Sequence, residues 1–427
     1  MTIEQLYQIY KQYPSVQTDT RKLNEGDIFF ALKGPSFNGN SFASKALEAG
    51  AAYAVIDEKE FAVNDRYILV DDVLTALQDL AKHHRQQFGK NIPFIAITGS
   101  NGKTTTKELV HTVLATTYTT YTTQGNLNNH IGIPLTLLSV KEDAEFAVIE
   151  MGANHQKEIE SYCKYTLPTH GIITNCGKAH LEGFGGIEGV RKGKGELFDF
   201  IRANDGVAFV MWDYDYLRDM SKGIGEIYKY GTNVADVIGT VIKSEPFLEV
   251  AIENDNSLSA LQSQLVGEYN LPNILVAVAI GKYFKVDSQK IKAAIENYAP
   301  SNSRSQMIER SSNHIILDAY NANPSSMKAA IENFAKLHYN DKVLMLGAMA
   351  ELGVESLDEH QQIVDLIRKY NWKDVVLVGG DFRKLSHPFI NLADSNEAAA
   401  WFKEKKFSNT ALLIKGSRSM QMEKVLA

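Results

Sequence analysis

The sequence predicts an α/β protein built from three domains. Three observations carry that expectation. The chain has 427 residues, and at roughly 150 residues per domain that is two to four domains. Buried-type apolar runs alternate with helical periodicity over most of the length, the mark of parallel sheets flanked by helices. Between two such alternations lies YAPSNSRSQ (298–306), whose Pro, Ser and Asn read as a linker. The expected division is a small α/β N-terminal domain (1–84), a central parallel-sheet domain (85–299) and a C-terminal, Rossmann-like doubly wound domain (300–427).

Composition narrows the partners. Hydrophobic residues make up 44% and charged residues 22%, ordinary globular usage. The net charge of −7 disfavours nucleic acid or an anionic membrane as partner. Cys163 and Cys176 are the two cysteines, read as free thiols of a reducing compartment. The N-terminus lacks a basic, then apolar, leader, and no run reaches about 18 apolar residues. A cytoplasmic protein with no membrane span is expected.

In the first segment, MTIEQLYQIYKQYP reads as an amphipathic helix. GDIFFAL (26–32), AYAVID (52–57) and YILVDD (67–72) read as strands. A helix over 42–51 stops at Gly50, and another over 73–88 stops at Gly89. The second segment opens on an apolar run, Ile92 to Ile97, suited to a strand buried on both faces. Two more such strands follow at 145–152 and 170–175. The stretch 207–253 predicts β-hairpins, and NLPNILVAVAIGKYF a closing helix. The third segment alternates HIILDAY, KVLMLGAM, DVVLVGG and TALLIKGS with helices over 324–338, 358–371 and 395–406. That is a doubly wound pattern, with no G-x-G-x-x-G after its first strand.

The strongest chemical signal is TGSNGKTT (98–105), set between a buried strand and a helix. Gly99 and Gly102 let backbone close around phosphate oxygens, while N–H groups from Ser100, Asn101 and the helix start supply positive potential. Lys103 would reach the β- and γ-phosphates, Thr104 would offer a hydroxyl to Mg²⁺, and Thr105 belongs to the same nucleotide-binding loop. This P-loop is short, with Ile97 where a first Gly is usual. Glu150, ending FAVIE, falls at the carboxyl end of a strand, where ligands of open α/β sheets bind and where Mg²⁺ takes one or two carboxylates. His180, in TNCGKAHLEGFGG, follows the third buried strand on the same edge; alone it reads equally as ligand or structural residue. Arg191, Lys192 and Lys194 in GVRKGKGELF are either a solvated basic face or a phosphate clamp or modified lysine, and spacing does not choose. Asn126, Asn128 and Asn129 crowd QGNLNNHIGIPLTLL, where turn chemistry is the plainer reading.

Together these residues resemble the Mur ligases, ATP-dependent amide-forming enzymes of peptidoglycan precursor synthesis. The resemblance spans all three segments: TDTR (18–21) and ALKGPSFNGNSFASKALEAGAA (31–52); the phosphate loop, NNHIGIPLTLL, IEMGANH and KGELF; and YNANPSSM, LGAMAELG and KGSRSM. Within the family, NNHIGIPLTLL, YNANPSSM and KGSRSM resemble the branch that adds D-alanyl-D-alanine to UDP-N-acetylmuramoyl-tripeptide through an acyl phosphate.

The resemblance implies that Thr20, Arg21, Lys33 and Gly34 hold the UDP end of that substrate. It implies ATP and two Mg²⁺ in the central domain, with Glu150 and Thr104 on one metal and His180 on the other. Lys194 matches a carbamylated lysine whose carbamate helps hold the second metal. Asn273 matches an adenine contact. Arg304 and Asp318 match nucleotide contacts from the third domain, beside Asn321 and Asn323. Asn126, Asn128, Asn129 and His130 fall in a substrate-contacting segment. A monomer is implied. The sequence departs from the family pattern at Ala348, where an acid is usual, at Lys178, where Pro is common, and at Tyr269, where His is common.

Overall fold

In this computed structural model, which describes residues 1–301 and 303–427, each segment folds around its own sheet. Asn302, inside the expected linker, lies outside the described residues. The first sheet has four parallel strands in the order Val16–Gln17, Ile28–Phe30, Tyr53–Ile56, Tyr67–Leu69. A small hairpin, Lys33–Gly34 with Phe37–Asn38, stands beside it. The opening helix Ile3–Gln12 starts at a capping box between Thr2 and Gln5, which satisfies two amide donors that a helix start leaves unpaired.

The helix Val73–Gln87 begins where Asp72 accepts a hydrogen bond from Thr75 N. It crosses the expected boundary at residue 84. His84 Nε2 lies 2.7 Å from Val140 O, and Arg85 donates to the Thr166 and Leu167 carbonyls, each at 3.0 Å. The two domains are thereby joined by buried polar contacts whose loss would leave donors unpaired.

The central sheet has nine strands. Thr120–Thr122, Phe146–Glu150, Phe94–Thr98, His170–Ile173 and Val207–Met211 run side by side and parallel. Their carboxyl ends therefore share one rim. From Phe94–Thr98 the chain first builds toward Thr120–Thr122, then crosses to His170–Ile173 on the other side. The order reverses between those two strands, and such a switch point opens a crevice at the rim. The stretch 207–253 corrects the expectation of hairpins in part: Val207–Met211, Glu226–Gly231 and Val237–Lys243 pair in parallel, and only Val237–Lys243 with Glu249–Ile252 makes a hairpin. Only Glu249–Ile252 and Leu261–Gln262 add antiparallel. The helix Asp215–Met220 provides a crossover that hydropathy alone did not reveal. The Asn-rich segment leads into a helix, Gly132–Leu138.

The third sheet has the order Gln306–Arg310, Asn313–Asp318, Thr410–Lys415, Asp341–Gly347, Asp374–Val378, Ile390–Leu392. Its first pair is antiparallel and the rest are parallel. The two edge strands were not expected; neither has a fully buried residue, so their apolar signal is weak. Among the described residues, no helix is long and apolar enough to cross a membrane.

Candidate functional site

The phosphate loop is shaped by what surrounds it. Gly99 (φ +142°) and Gly102 (φ +81°) adopt backbone angles that other residues rarely take. A Cβ on Gly99 would stand 2.0 Å from Thr174 Oγ1, and one on Gly102 2.7 Å from Asn273 Oδ1. The loop is thus pressed between the neighbouring strand's exit and the start of the helix Leu271–Tyr283. Asn101 is held three ways: its N–H donates to Asn175 Oδ1, and its carbonyl accepts from Thr174 Oγ1 and Asn175 Nδ2. Lys103 opens the helix Lys103–Ala115 and donates to Gly99 O at 2.7 Å. Burial and the Arg304 guanidinium pull its pKa below the ordinary lysine value, and the Glu150 carboxylate opposes them. Thr104 and Thr105 face the cavity, while Thr106 is buried and donates to Asn273 Oδ1.

That cavity encloses about 800 Å³ and is lined by both central and C-terminal domains. Ser100, Asn101, Gly102, Lys103, Glu150, His180 and Asn273 contribute from the central domain, and Arg304, Asp318, Asn321 and Asn323 from the C-terminal one. Gly99 lies behind the loop and Lys194 behind the wall. Asn128, Asn129 and His130 line the cavity too, whereas Asn126 is exposed in the turn and does not reach it. Asn128 exceeds the turn reading, because its Nδ2 donates to Glu150 Oε1 at 2.7 Å. Asn129 fits the turn reading, accepting from Gly132 N and Ile131 N.

Glu150 is 1% exposed. One carboxylate oxygen takes Asn128; the other, Oε2, is buried with no hydrogen-bond partner. A buried carboxylate oxygen left unpaired carries a large desolvation cost, and a cation removes it. Among the described residues no cluster of three His, Cys, Asp or Glu could hold a metal alone. The donor set around Glu150 is instead one carboxylate, the Thr104 hydroxyl and open space beside a phosphate loop. That set fits Mg²⁺, which keeps waters and takes phosphate oxygens.

His180 sits in the left-handed region (φ 52°) at the start of the helix Leu181–Phe184. Its Nδ1 lies 2.6 Å from Glu351 Oε2 of the C-terminal domain, out of line for a hydrogen bond. Lys194, on the helix Ile187–Ala203, is 1% exposed and donates to Ala153 O at 2.9 Å. Its ammonium lies 4.8 Å from the Phe184 ring centroid. Burial, reinforced by the Lys103 charge, pushes its pKa down to about 7. Arg191 pairs with Glu188 at 2.7 Å and also lies 5.3 Å over the Tyr216 ring, Lys192 is exposed, and Lys194 is the one of the three that is fully buried.

Arg304 stacks on Tyr320 at 3.5 Å from the ring centroid. Asp318 accepts from Ser305 N and pairs with Lys415. Asn323 Nδ2 donates to Asn101 Oδ1 at 2.8 Å, a direct bond from the third domain to the phosphate loop. Ala348 is buried against Gly380; Glu351, three residues on, is the acid that reaches the site. Tyr269 meets Ser305 Oγ at 3.1 Å across the domain junction. Lys178 pairs with Glu359.

The four N-terminal residues do not line this cavity. Thr20 and Arg21 lie in the 3-10 turn Thr20–Lys22, with Arg21 paired to Asp19 at 2.8 Å. Lys33 pairs with Asp57 and Glu58, each at 2.9 Å, and its pKa rises to about 12 through those hydrogen bonds. Gly34 packs under the Phe37 ring. All four lie in the first domain, apart from the cavity.

Sequence reasoning passed over Tyr214 and Tyr216, which line the cavity and stack with ring centroids 5.6 Å apart. They follow the strand Val207–Met211, and strand-end position was the available signal. Lys415, 2% exposed, was hidden because it ends an apolar strand.

Fold and site define a nucleotide-binding enzyme whose phosphate loop is roofed by a separate C-terminal domain. Comparison with known proteins agrees. Residues 12–85 match the Mur ligase family catalytic domain, 97–281 the Mur ligase middle domain and 303–418 the Mur ligase glutamate ligase domain. The UDP-N-acetylmuramoyl-tripeptide--D-alanyl-D-alanine ligase of Bacillus subtilis (strain 168) is 34% identical, covering 96% of this chain and 92% of that protein. The crystal structure of MurF from Acinetobacter baumannii superposes with a TM-score of 0.87 at 29% identity, covering 100% of this chain and 97% of that one. The MurF ligase from Thermotoga maritima in complex with ADP gives 0.85 at 25% identity, covering 96% of each. The chain belongs to the Mur ligase family.

Proposed function

We propose that this chain is an ATP-dependent ligase that joins D-alanyl-D-alanine to UDP-N-acetylmuramoyl-tripeptide, releasing ADP and phosphate. The observation that carries the reading is one rim holding Lys103, an unpaired Glu150 oxygen, His180 and a near-neutral Lys194 amine behind it, under a roof from another domain. The tripeptide's terminal carboxylate attacks the γ-phosphate and an acyl phosphate forms. The free amine of the dipeptide then attacks the acyl carbon, and phosphate leaves. Two anions meet in the first step, so Lys103 acts as a fixed positive charge beside the transferring group. Thr104 and Glu150 would hold one Mg²⁺, and His180 with a carbamylated Lys194 a second; bound Mg²⁺ supplies charge neutralisation at the phosphates. Thr20, Arg21, Lys33 and Gly34 are assigned to the UDP end, Asn128, Asn129 and His130 to the peptide entrance, and Asn273, Arg304 and Asp318 to the nucleoside. The roof and the Tyr214–Tyr216 wall keep water from the acyl phosphate. We assign the reaction to the cytoplasm, a reading that two buried free thiols support. A monomer is assigned from the family resemblance.

Phosphate release with UDP-N-acetylmuramoyl-tripeptide and ATP, measured with and without D-alanyl-D-alanine, tests the reading. Release that requires the dipeptide, and not glutamate or single amino acids, is expected. Slow release indifferent to any amine would indicate a nucleotide switch, and a stable phosphorylated product a kinase.

The C-terminal domain is expected to swing onto the central one when nucleotide binds. Small-angle scattering should show a smaller radius of gyration with an ATP analogue plus UDP substrate. Superimposable profiles would remove the closure step.

A further inference from the structure

Glu359 stands in the first turn of the helix Ser356–Ile367, in the C-terminal domain. Its side chain is 5% exposed, and Lys178 Nζ of the central domain lies 2.5 Å from Oε1. Among the described residues it pairs with no other cation. A helix N-terminus favours an acid, but a carboxylate this dry still needs a counter-charge. The counter-charge belongs to the other domain. The acid is therefore satisfied in two situations only: undocked and hydrated, or docked on Lys178.

The loop that carries Lys178 is tied in two further directions. Ser100 Oγ of the phosphate loop donates to Gly177 O at 2.8 Å. Lys178 N donates to Ser325 Oγ of the C-terminal domain at 2.9 Å. His180 follows two residues later. The loop is a wedge between phosphate loop and roof, and the Lys178 side chain fastens the roof to it.

We propose that Lys178 is a positioning residue: its ion pair with Glu359 seats the C-terminal domain on the His180 loop and so sets the arrangement in which acyl phosphate and acceptor amine meet. This rests on the ligase reading above. Lys178 does not line the cavity, so its role predicts a loss in turnover and in acceptor use that exceeds the loss of nucleotide affinity, the latter arising only through the docked Arg304 and Asp318. Removing the lysine strands the acid and penalises docking; removing both charges leaves a neutral contact.

The experiment is a double-variant cycle on the full chain, reading dipeptide-dependent phosphate release, with ADP affinity measured by calorimetry. Lys178→Met should lower kcat/KM for D-alanyl-D-alanine about tenfold or more, and weaken ADP binding by a clearly smaller factor. Lys178→Arg should retain most activity. Lys178→Met combined with Glu359→Gln should be more active than Lys178→Met alone. Losses that multiply, a Lys178→Met rate within twofold of the parent, or a parallel fall in ADP affinity would each overturn the proposal. Should Lys178→Met fail to fold, Glu359→Gln and Lys178→Arg decide it: Glu359→Gln at parental kcat/KM would overturn it. A parent enzyme whose phosphate release ignores the dipeptide would instead bring down the ligase reading itself.

Discussion

Lys103→Ala is expected to lower phosphate release by on the order of 10³-fold or more, beyond detection in an ordinary coupled assay. The argument is electrostatic. A tripeptide carboxylate and a triphosphate repel, and the approach must happen where water has been excluded and charges interact strongly. Lys103 is the phosphate loop's own cation, and its ammonium is held by Gly99 O at 2.7 Å. Burial and Arg304 oppose its charge while Glu150 sustains it, so an incoming phosphate relieves a strained cation as well as being stabilised by it. Alanine removes both effects. Because the backbone cradle around Gly99 and Gly102 is built by Thr174, Asn175 and Asn273, the loop should persist. ADP affinity should then fall far less than kcat, and the melting temperature should move little. A variant within tenfold of the parent in turnover would remove Lys103 from the chemistry.

Much of this site could be read from the chain because strand ends and turn glycines are local facts. Phe94–Thr98 is continuous apolar sequence followed by Gly99 and Gly102, and both glycines take the positive φ that the motif requires. Glu150 ends a fully buried strand, so its rim position followed from strand direction. Lys194 was not separable by spacing among neighbouring cations, yet a signal existed. Val190, Lys194, Leu197 and Ile201 share one buried helical face, and a lysine inside an apolar stripe at that period is an anomaly. What stayed illegible depends on docking between domains. Glu351 beside His180, Glu359 beside Lys178 and Asn323 on Asn101 pair residues more than 150 positions apart, and no periodicity encodes which faces meet. The parallel pairing within 207–253 was missed for a related reason. The crossover helix Asp215–Met220 is six residues long, too short to stand out as a helical pattern.

Lys194→Ala is expected to lower kcat by on the order of 10²-fold, and a short carboxylate should restore part of it. The parent side chain is buried under the Phe184 ring and against Ala153 O, so truncation leaves a dry slot that acetate or formate can enter. The pH profile separates this account from simple loss of packing. Carbamylation consumes a neutral amine and CO₂ and releases a proton. Burial and the Lys103 charge lower the Lys194 pKa to about 7. The folded pKa is depressed, so the neutral, reactive form is scarce below about pH 7 and predominates above it. An unshifted lysine, with a pKa of about 10.4, would hold under roughly 1% of that form at pH 8. With bicarbonate limiting, parent activity should rise as pH climbs through about 7, and a carbonyl-carbon NMR signal from labelled CO₂ should rise with it. The acetate-rescued Lys194→Ala enzyme has no lysine amine to deprotonate, so it should lose the bicarbonate-dependent part of that rise and keep only the part that comes from the dipeptide's own α-amine. If the rescued variant kept the parental profile, or if no carboxylate restored activity to a folded variant, the carbamate would have no part in this enzyme.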